Sequence, residues 1–478
     1  MTDQRLTPLG RRRFLQLLGA STAGLALGAC GSASSPAAST TSSATRTTSP
    51  RASFPIGAAA RAKTKPVPVM LWHSMTENNE KTLAGLAARF NSSQHDVQVS
   101  LLSQTSYPDT LTAYTAAVST GKNLPQLVMI QSIDLQIMID SHSIVAAGDA
   151  VAADHYDLSG IVPSAVEYFK VDGVLWAMPF NESSQVLYYN ENAFEKAGLD
   201  PAKPPLTLEQ YRSYSERIVS TGTAKYGTSL KLTPSNFEDW VAMSGTLFVN
   251  NGNGRSARAT EVAFGDSTGR QLFSFFADML SSKLAQPTPG AGSGGYDNLL
   301  AIASNTAPMA IETSAALGTV LTVLGSYKNV KLGLGPLPAP PGPGGVPYGG
   351  AGLYIVKQST AEQQDGAWQF LKFLLEAPQM ATWSLGSGYI PITSAAVDVP
   401  ALKAAWAKTP EYEVAYGEVR DTLPSAATAG AVVGPFTEIE TIVTNQLTAI
   451  SNGTSAGAAL AAAVSQSNSA IASYNQRV

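Results

Sequence analysis

Residues 67–103 read VPVMLWHSMTENNEKTLAGLAARFNSSQHDVQVSLLS. The opening run, VPVMLW at 67–72, is short and apolar, as a buried strand is. Leu83, Leu86, Ala87 and Phe90 then fall at i, i+3, i+4 and i+7, which puts one apolar stripe along a helix. VQVSLLS at 97–103 alternates apolar and polar residues, the period of a half-buried strand. Downstream, YPDTLTAYTAAVSTG reads as a helix stopped by Gly121, and LPQLVMIQ as another buried strand. Strand and helix alternate, so the stretch predicts a largely parallel sheet covered on both faces.

Farther along, GVLWAMPF and VLYYN are strand-like pieces on either side of NESSQ, and AFEKAGLD is a helix with a glycine stop. A proline-rich turn precedes a helix in PAKPPLTLEQYRSYSERIVS, with Thr207 placed as its N-cap. The α/β pattern continues to about Met309. APMAIETSAALG reads as a strand running into a small-residue turn and helix, and 330–356 as two strands around a proline-glycine loop. AWQFLKFLLEAP is a helix, and AGAALAAAVSQSNSAIASY a long one near the end. No internal repeat is visible.

Upstream of this body stands Cys30, the only cysteine of the chain, so no disulfide within the chain is available. Arg11, Arg12 and Arg13 precede an apolar run from Phe14 to Ala29, the layout of an export signal. The paired arginines fit a twin-arginine (Tat) address. Leu27-Gly28-Ala29-Cys30 resembles a bacterial lipobox, which implies that residues 1–29 are removed and Cys30 carries diacylglycerol. The other reading is a short helix with a core cysteine. Residues 30–66 are rich in Ser, Thr, Ala and Pro and read as a disordered tether.

Charged residues make up only 14 % of the chain, so its polarity rests on Ser, Thr, Asn and Gln. Removing residues 1–29 leaves 27 basic against 34 acidic residues, a net charge of −7, which gives no basic field for nucleic acid. His73, His95, His142 and His155 lack metal-ligand spacing, and no metal or cofactor is expected. GAGSGG at 290–295 lacks the Lys-Ser/Thr end of a phosphate loop.

LWHSMTENNEKTLAGLAARFN, MPFNESSQVLYYNENAFEKAGLDPAKPPLTLEQY, YGGAGLYIVK and GSGYIPIT, in this order, resemble the family-1 extracellular solute-binding proteins of ATP-driven importers. Within that family they are most similar to the glycerol-3-phosphate and glycerophosphodiester receptors. The resemblance implies an α/β, two-lobed periplasmic-binding-protein-like fold of type II, with a ligand cleft between hinge-connected lobes that close on the solute. The expected lobes are 67–178 plus 313–376 and 179–312 plus 377–478, with crossings near Met178–Asn181 and Ile311–Thr313. It further implies a monomeric, lipid-anchored receptor on the outer face of the cytoplasmic membrane, working with ABC permease subunits and, through them, their ATPase. The solute would be a glycerophosphodiester, glycerol-3-phosphate or a sugar.

The resemblance nominates Tyr107, Ser132, Ser183, Leu230, Trp240, Ser314, Gly350 and Tyr389 as ligand contacts. Tyrosine suits polyols because its ring packs on C–H faces while its hydroxyl bonds. Gly349, Gly350 and Ala351 would let backbone amides approach the ligand, and His73 and Glu77 border the cleft. Two departures stand out. Phosphate-binding relatives carry a late arginine, whereas 423–440 here has no Lys, Arg or His and ends on acidic residues. Leu230 also stands where the glycerol-3-phosphate receptor has a tryptophan. Either Lys231 or the helix start at Ser314 replaces the arginine, or the ligand is a neutral sugar or polyol. Two rival classes remain: a structural surface lipoprotein, and a secreted carbohydrate-active enzyme using Glu182 and Asp239 as its carboxylate pair.

Overall fold

The computed structural model describes residues 53–62, 66–289 and 297–478. Cys30, the export signal and GAGSGG lie outside these residues. The strands are β1 (Val67–His73), β2 (Val97–Ser103), β3 (Leu127–Gln131), β4 (Ile144–Val145), β5 (Lys170–Val171), β6 (Val174–Leu175) and β7 (Met178–Ser183). They continue with β8 (Gln185–Asn190), β9 (Thr228–Leu232), β10 (Ala285–Pro289), β11 (Met309–Thr313), β12 (Leu332–Pro336) and β13 (Gly349–Val356).

Two mixed sheets result. The first has the order β2-β1-β3-β13-β4, with β7 also paired to β13; the second has the order β10-β9-β11-β8-β12. β5 and β6 form a separate two-stranded hairpin. In the first sheet β1 runs parallel to β2 and β3, and β13 comes in antiparallel. The helix Glu77–Ser93 buries Leu83, Leu86, Ala87 and Phe90, the stripe its spacing predicts. Tyr107–Thr120 starts on Ser106, whose hydroxyl accepts the Asp109 amide, and stops at left-handed Gly121. Thr207 caps Leu208–Ser220 through the Gln210 amide. Among the described residues no helix is long and apolar enough to cross a membrane.

The chain passes between the sheets at points that differ from the expected crossings. β7 ends at Ser183 in the first sheet and β8 begins at Gln185 in the second, so Ser184 alone makes the first passage. β11 and β12 both belong to the second sheet, so the return lies between Pro336 and Gly349, not at Ile311–Thr313. Helix Ala377–Ser387 packs on Glu77–Ser93, which keeps it with the first lobe. Short apolar strands on both sides of a crossing look alike in sequence, which is why these borders were displaced.

The body also begins earlier than Val67. Asp365 accepts the amides of Gly57 (3.0 Å) and Ala59 (2.9 Å), Ala59 is fully buried, and Phe54 packs edge-on against Trp368. Residues 53–62 are therefore docked on the first lobe and are not part of a tether. Two apolar side chains in a polar stretch, with one carboxylate to hold their turn, are enough to order it.

Contacts across the cleft mark this as a closed arrangement. Arg258, on the second lobe, grips Asp140 of the first with two hydrogen bonds of 2.6 and 2.9 Å, and Tyr474 donates to the same carboxylate at 2.8 Å. Arg255 donates to the Glu167 and Lys170 carbonyls of the first lobe and to the Ala429 and Gly430 carbonyls of the second. Asp140→Ala removes the acceptor of both Arg258 and Tyr474. Small-angle scattering of the ligand-free variant should give a larger radius of gyration than the parent; an unchanged radius would show that this contact does not hold the lobes together.

Candidate functional site

The passage at Ser184 forms the floor of a cavity between the two sheets that encloses ≈ 190 Å³ open to the centre of a water molecule. Gln131 and Ser132, at the C-terminal end of β3, line it from the first lobe, and so do Gly349 and Gly350 at the start of β13. Helix Pro234–Met243 lines it from the second lobe. The core face of that helix carries Phe237 and Trp240, both buried, with the Trp240 indole donating to the Pro338 carbonyl at 2.8 Å. This anchoring turns Ser235, Glu238, Asp239 and Ala242, at i, i+3, i+4 and i+7, toward the cavity. Phe436 and Glu440, four apart on helix Phe436–Ser451, face it from the far side while Ile439 and Val443 are buried in the core.

A third element reaches the cavity through unusual backbone. Asn251, Gly252 and Asn253 all have left-handed dihedrals (φ 54°, 62° and 59°), followed by Gly254 at 76°. Only Gly and Asn adopt such a run readily. Asn253 holds it: its side-chain oxygen accepts the Phe248 and Val249 amides, and its amide group donates to the Ala426 carbonyl. A Cβ on Gly254 would lie 2.0 Å from the Val432 carbonyl oxygen, so glycine is required there. The turn delivers Asn253 to the cavity wall and Arg255 to the lobe contact behind it.

The electrostatics are one-sided. No Lys, Arg or His is among the described lining residues, whereas Glu238, Asp239 and Glu440 are. Loss of water raises Glu238 well above the ordinary carboxyl range, and Glu440 and Asp239 add to the effect. Burial pushes Asp239 up to about 8. Burial also takes Glu440 to about 8, with Asp134 contributing. Asp134 itself is raised by burial to about 7, opposed by a hydrogen bond to Thr437 across the cleft. Behind Gly349, Glu182 is fully buried and raised well above its usual value; the Gly349 amide it accepts at 3.0 Å opposes the shift, and Asp239 reinforces it. Two polar atoms in this wall are sealed from solvent with no partner in the protein, Ser184 Oγ and Glu238 Oε1.

The nominated residues divide into three groups. Ser132, Ser183 and Gly350 line the cavity, with Ser183 Oγ donating to the Gly349 carbonyl at 3.2 Å. Gly350 has φ 141°, and a Cβ there would lie 2.0 Å from the Asn181 carbonyl oxygen. Tyr107 and Tyr389 come together beside the cavity: their hydroxyls are 3.3 Å apart, and the Asn181 side chain donates to Tyr107 at 2.7 Å. Tyr389 stacks on Trp383 and, with Ser314, lines a smaller neighbouring hollow. Leu230 and Trp240 are core residues, 1 % and 0 % exposed, outside the cavity lining. His73 is fully buried, accepting the Met75 amide at 3.2 Å, and Glu77 sits at the first turn of its helix. Lys231 is ion-paired with Glu312 at 2.8 Å and so is not a free cation, while Ser314 Oγ accepts the Ser184 amide at 3.2 Å. Sequence reasoning missed Ser184, Glu238, Asn253 and Glu440; the polar stripe 235/238/239 and the Asn-Gly-Asn-Gly run were the available signals. The described residues contain no group of three or more His, Cys, Asp or Glu able to hold a metal ion.

Residues 85–414 match the family model of the bacterial extracellular solute-binding proteins. The chain is 27 % identical over 430 residues to the sn-glycerol-3-phosphate-binding periplasmic protein UgpB of Pectobacterium atrosepticum, covering 85 % of this chain and 92 % of that protein. The UgpB of Salmonella typhimurium is 27 % identical over 399 residues, 80 % of this chain and 88 % of its own. The backbone is similar to that of UgpB from Mycobacterium tuberculosis in complex with glycerophosphocholine, with a TM-score of 0.69, 19 % identity, and 85 % of this chain and 98 % of that chain covered. It is also similar to the sugar-binding protein MalE of Xanthomonas citri, with a TM-score of 0.70, 17 % identity, and 86 % and 98 % covered. These neighbours share the two-lobed α/β fold seen here.

The raised carboxyls have a consequence for stability. The native state keeps protons on Asp134, Asp239, Glu418 and Glu440 up to about pH 7–8, whereas the unfolded chain releases them near pH 4. The native state therefore binds more protons in that interval, and stability falls as pH rises. His73, buried and lowered, acts in the opposite sense as pH falls through its unfolded value near 6.5. The window that isolates the carboxyls is thus about pH 6.5–8.5. The melting temperature should drop across it, each carboxyl contributing up to about 1.4 kcal/mol per pH unit, and Asp239→Asn should flatten the slope. A melting temperature that rises over this window would contradict the assignment.

Proposed function

Since the chain belongs to the bacterial extracellular solute-binding proteins, we propose that it is the receptor of an ATP-driven importer, capturing a small hydroxyl-rich solute by closing its lobes and handing it to a permease. The observation that carries this reading is the cavity at the Ser184 passage, lined by residues of both lobes. A ligand there touches both lobes at once, so it favours the closed form by its extra contacts in that form. The ligand contacts are Ser132, Ser183, Ser184 and Gly350, with the Tyr107–Tyr389 pair flanking them. Leu230 and Trp240 support the wall from the core.

The solute class follows the curated relatives, whose names specify sn-glycerol-3-phosphate, and the structural neighbours, which include a glycerophosphocholine complex and a sugar-binding protein. Of these, the phosphate monoester suits this cavity least, because Lys231 is committed to Glu312 and no cation is among the described lining residues. The receptor works outside the cytoplasm as its relatives do. Tat-type export and a diacylglycerol anchor on Cys30 would hold it, as a monomer, beside its permease; two acyl chains are enough for stable anchoring.

A thermal-shift screen with sn-glycerol-3-phosphate, glycerophosphocholine, trehalose and maltose tests the reading. A receptor gains about 2.7 kcal/mol at a ligand concentration 100 times its dissociation constant. Ser184→Ala should weaken the ligand that binds by about 0.5–1.5 kcal/mol, the net value of a lost hydrogen bond. Stabilisation by none of these solutes, or turnover of one of them, would contradict the proposal.

A further inference from the structure

Acid faces acid across the cleft at two places. Glu182 stands near the end of β7 in the first lobe, and the Asp239 carboxyl on the second-lobe helix Pro234–Met243 acts on it. Asp134, just past β3 in the first lobe, meets helix Phe436–Ser451 of the second, where Thr437 bonds to it and Glu440 feels its charge. Each pair joins the two lobes, so closure brings its members together.

No cation separates either pair. The other titratable groups turned toward these acids are Glu238, Glu418, Tyr168, Tyr348 and Tyr354, and burial keeps each of them neutral near neutral pH. Arg255 lies over the Tyr168 ring at 5.4 Å, but its guanidinium is engaged by backbone carbonyls of both lobes. Lys231 is paired with Glu312 at 2.8 Å.

The placement of the oxygens shows what closure demands. Glu182 is 0 % exposed; its Oε1 accepts the Gly349 amide at 3.0 Å, while its Oε2 is sealed with no partner among the described residues. Asp134 is 4 % exposed, and its Oδ1 is sealed in the same way. An ionised carboxylate so placed has lost its water without gaining donors, and a second negative charge facing it adds repulsion. Protons remove both costs. Opening the cleft parts the pairs and admits water, so the open form ionises more easily than the closed one.

We propose that the cleft is a proton-dependent latch: protons held at Glu182–Asp239 and Asp134–Glu440 let the lobes close, and their loss in alkaline solution drives the lobes apart. By linkage, closure takes up protons, and each proton taken up weakens the closing equilibrium by up to about tenfold per pH unit. A solute held between the lobes is then released more readily as pH rises. The inference needs the two lobes and their closed contacts, and not the identity of the solute.

Small-angle scattering of the full, ligand-free chain at about pH 6.5 and about pH 9, at one salt concentration, tests the latch. The parent should show a larger radius of gyration at the higher pH, with its far-UV circular dichroism unchanged. Asp239→Asn and Glu440→Gln each remove one acid from a facing pair, and at least one of them should shrink the expansion; should one variant not fold, the other carries the comparison. Equal radii at both pH values, an expansion kept in full by the variants, or one that appears only with loss of circular dichroism would overturn the inference and leave the receptor reading standing.

Discussion

The architecture turns on one residue held from two sides. Ser184 passes the chain from the first sheet to the second, its carbonyl accepts the Ser314 amide at 2.7 Å, and its own amide donates to Ser314 Oγ at 3.2 Å. Two strands that end a residue apart are thereby tied to a third element of the second lobe. Gly349 and Gly350 let β13 press against β7 on the other side, where Cβ atoms would strike the Ser183 and Asn181 carbonyl oxygens at 2.5 and 2.0 Å. The passage is a single residue long, and the chain crosses back between Pro336 and Gly349.

The chemistry of the site follows from what the closed lobes exclude. Closure takes Glu238, Asp239, Glu440 and Asp134 out of water without supplying a basic partner, and their proton affinity rises in consequence. The Arg258–Asp140 contact involves no residue of the cavity lining, whereas Arg255 stands directly behind it, donating to Gly430 and lying over the Tyr168 ring. These cations join the lobes from outside the cavity, which has no Lys, Arg or His among its described lining residues.

Much of the fold was legible in the sequence because it rests on local patterns. The stripe at Leu83, Leu86, Ala87 and Phe90, the Gly121 stop and the Thr207 cap each lie where spacing and residue type put them. The passages between lobes were harder: β7, β8 and β11 are all short and buried, and no local feature says which sheet a buried strand joins. The same holds for the site. Ser132, Ser183 and Gly350 were read from a motif and line the cavity, whereas Trp240 and Leu230 face the core. Glu238 was passed over because its partner in the cavity, Glu440, is some two hundred residues distant, and only tertiary packing joins them. The NGNG turn was visible as letters, but its left-handed course depends on Asn253 bonding to residues on two other segments.

A crystal structure grown with the bound solute tests the central claim most directly, that both lobes share one ligand at the Ser184 passage. The account predicts density in the cavity touching Ser132 or Ser184 on one side and Asp239 or Glu440 on the other, with the lobe contact at Asp140 and Arg258 intact. Solute density confined to the outer surface or to a single lobe, with this cavity filled by protein side chains, would contradict it.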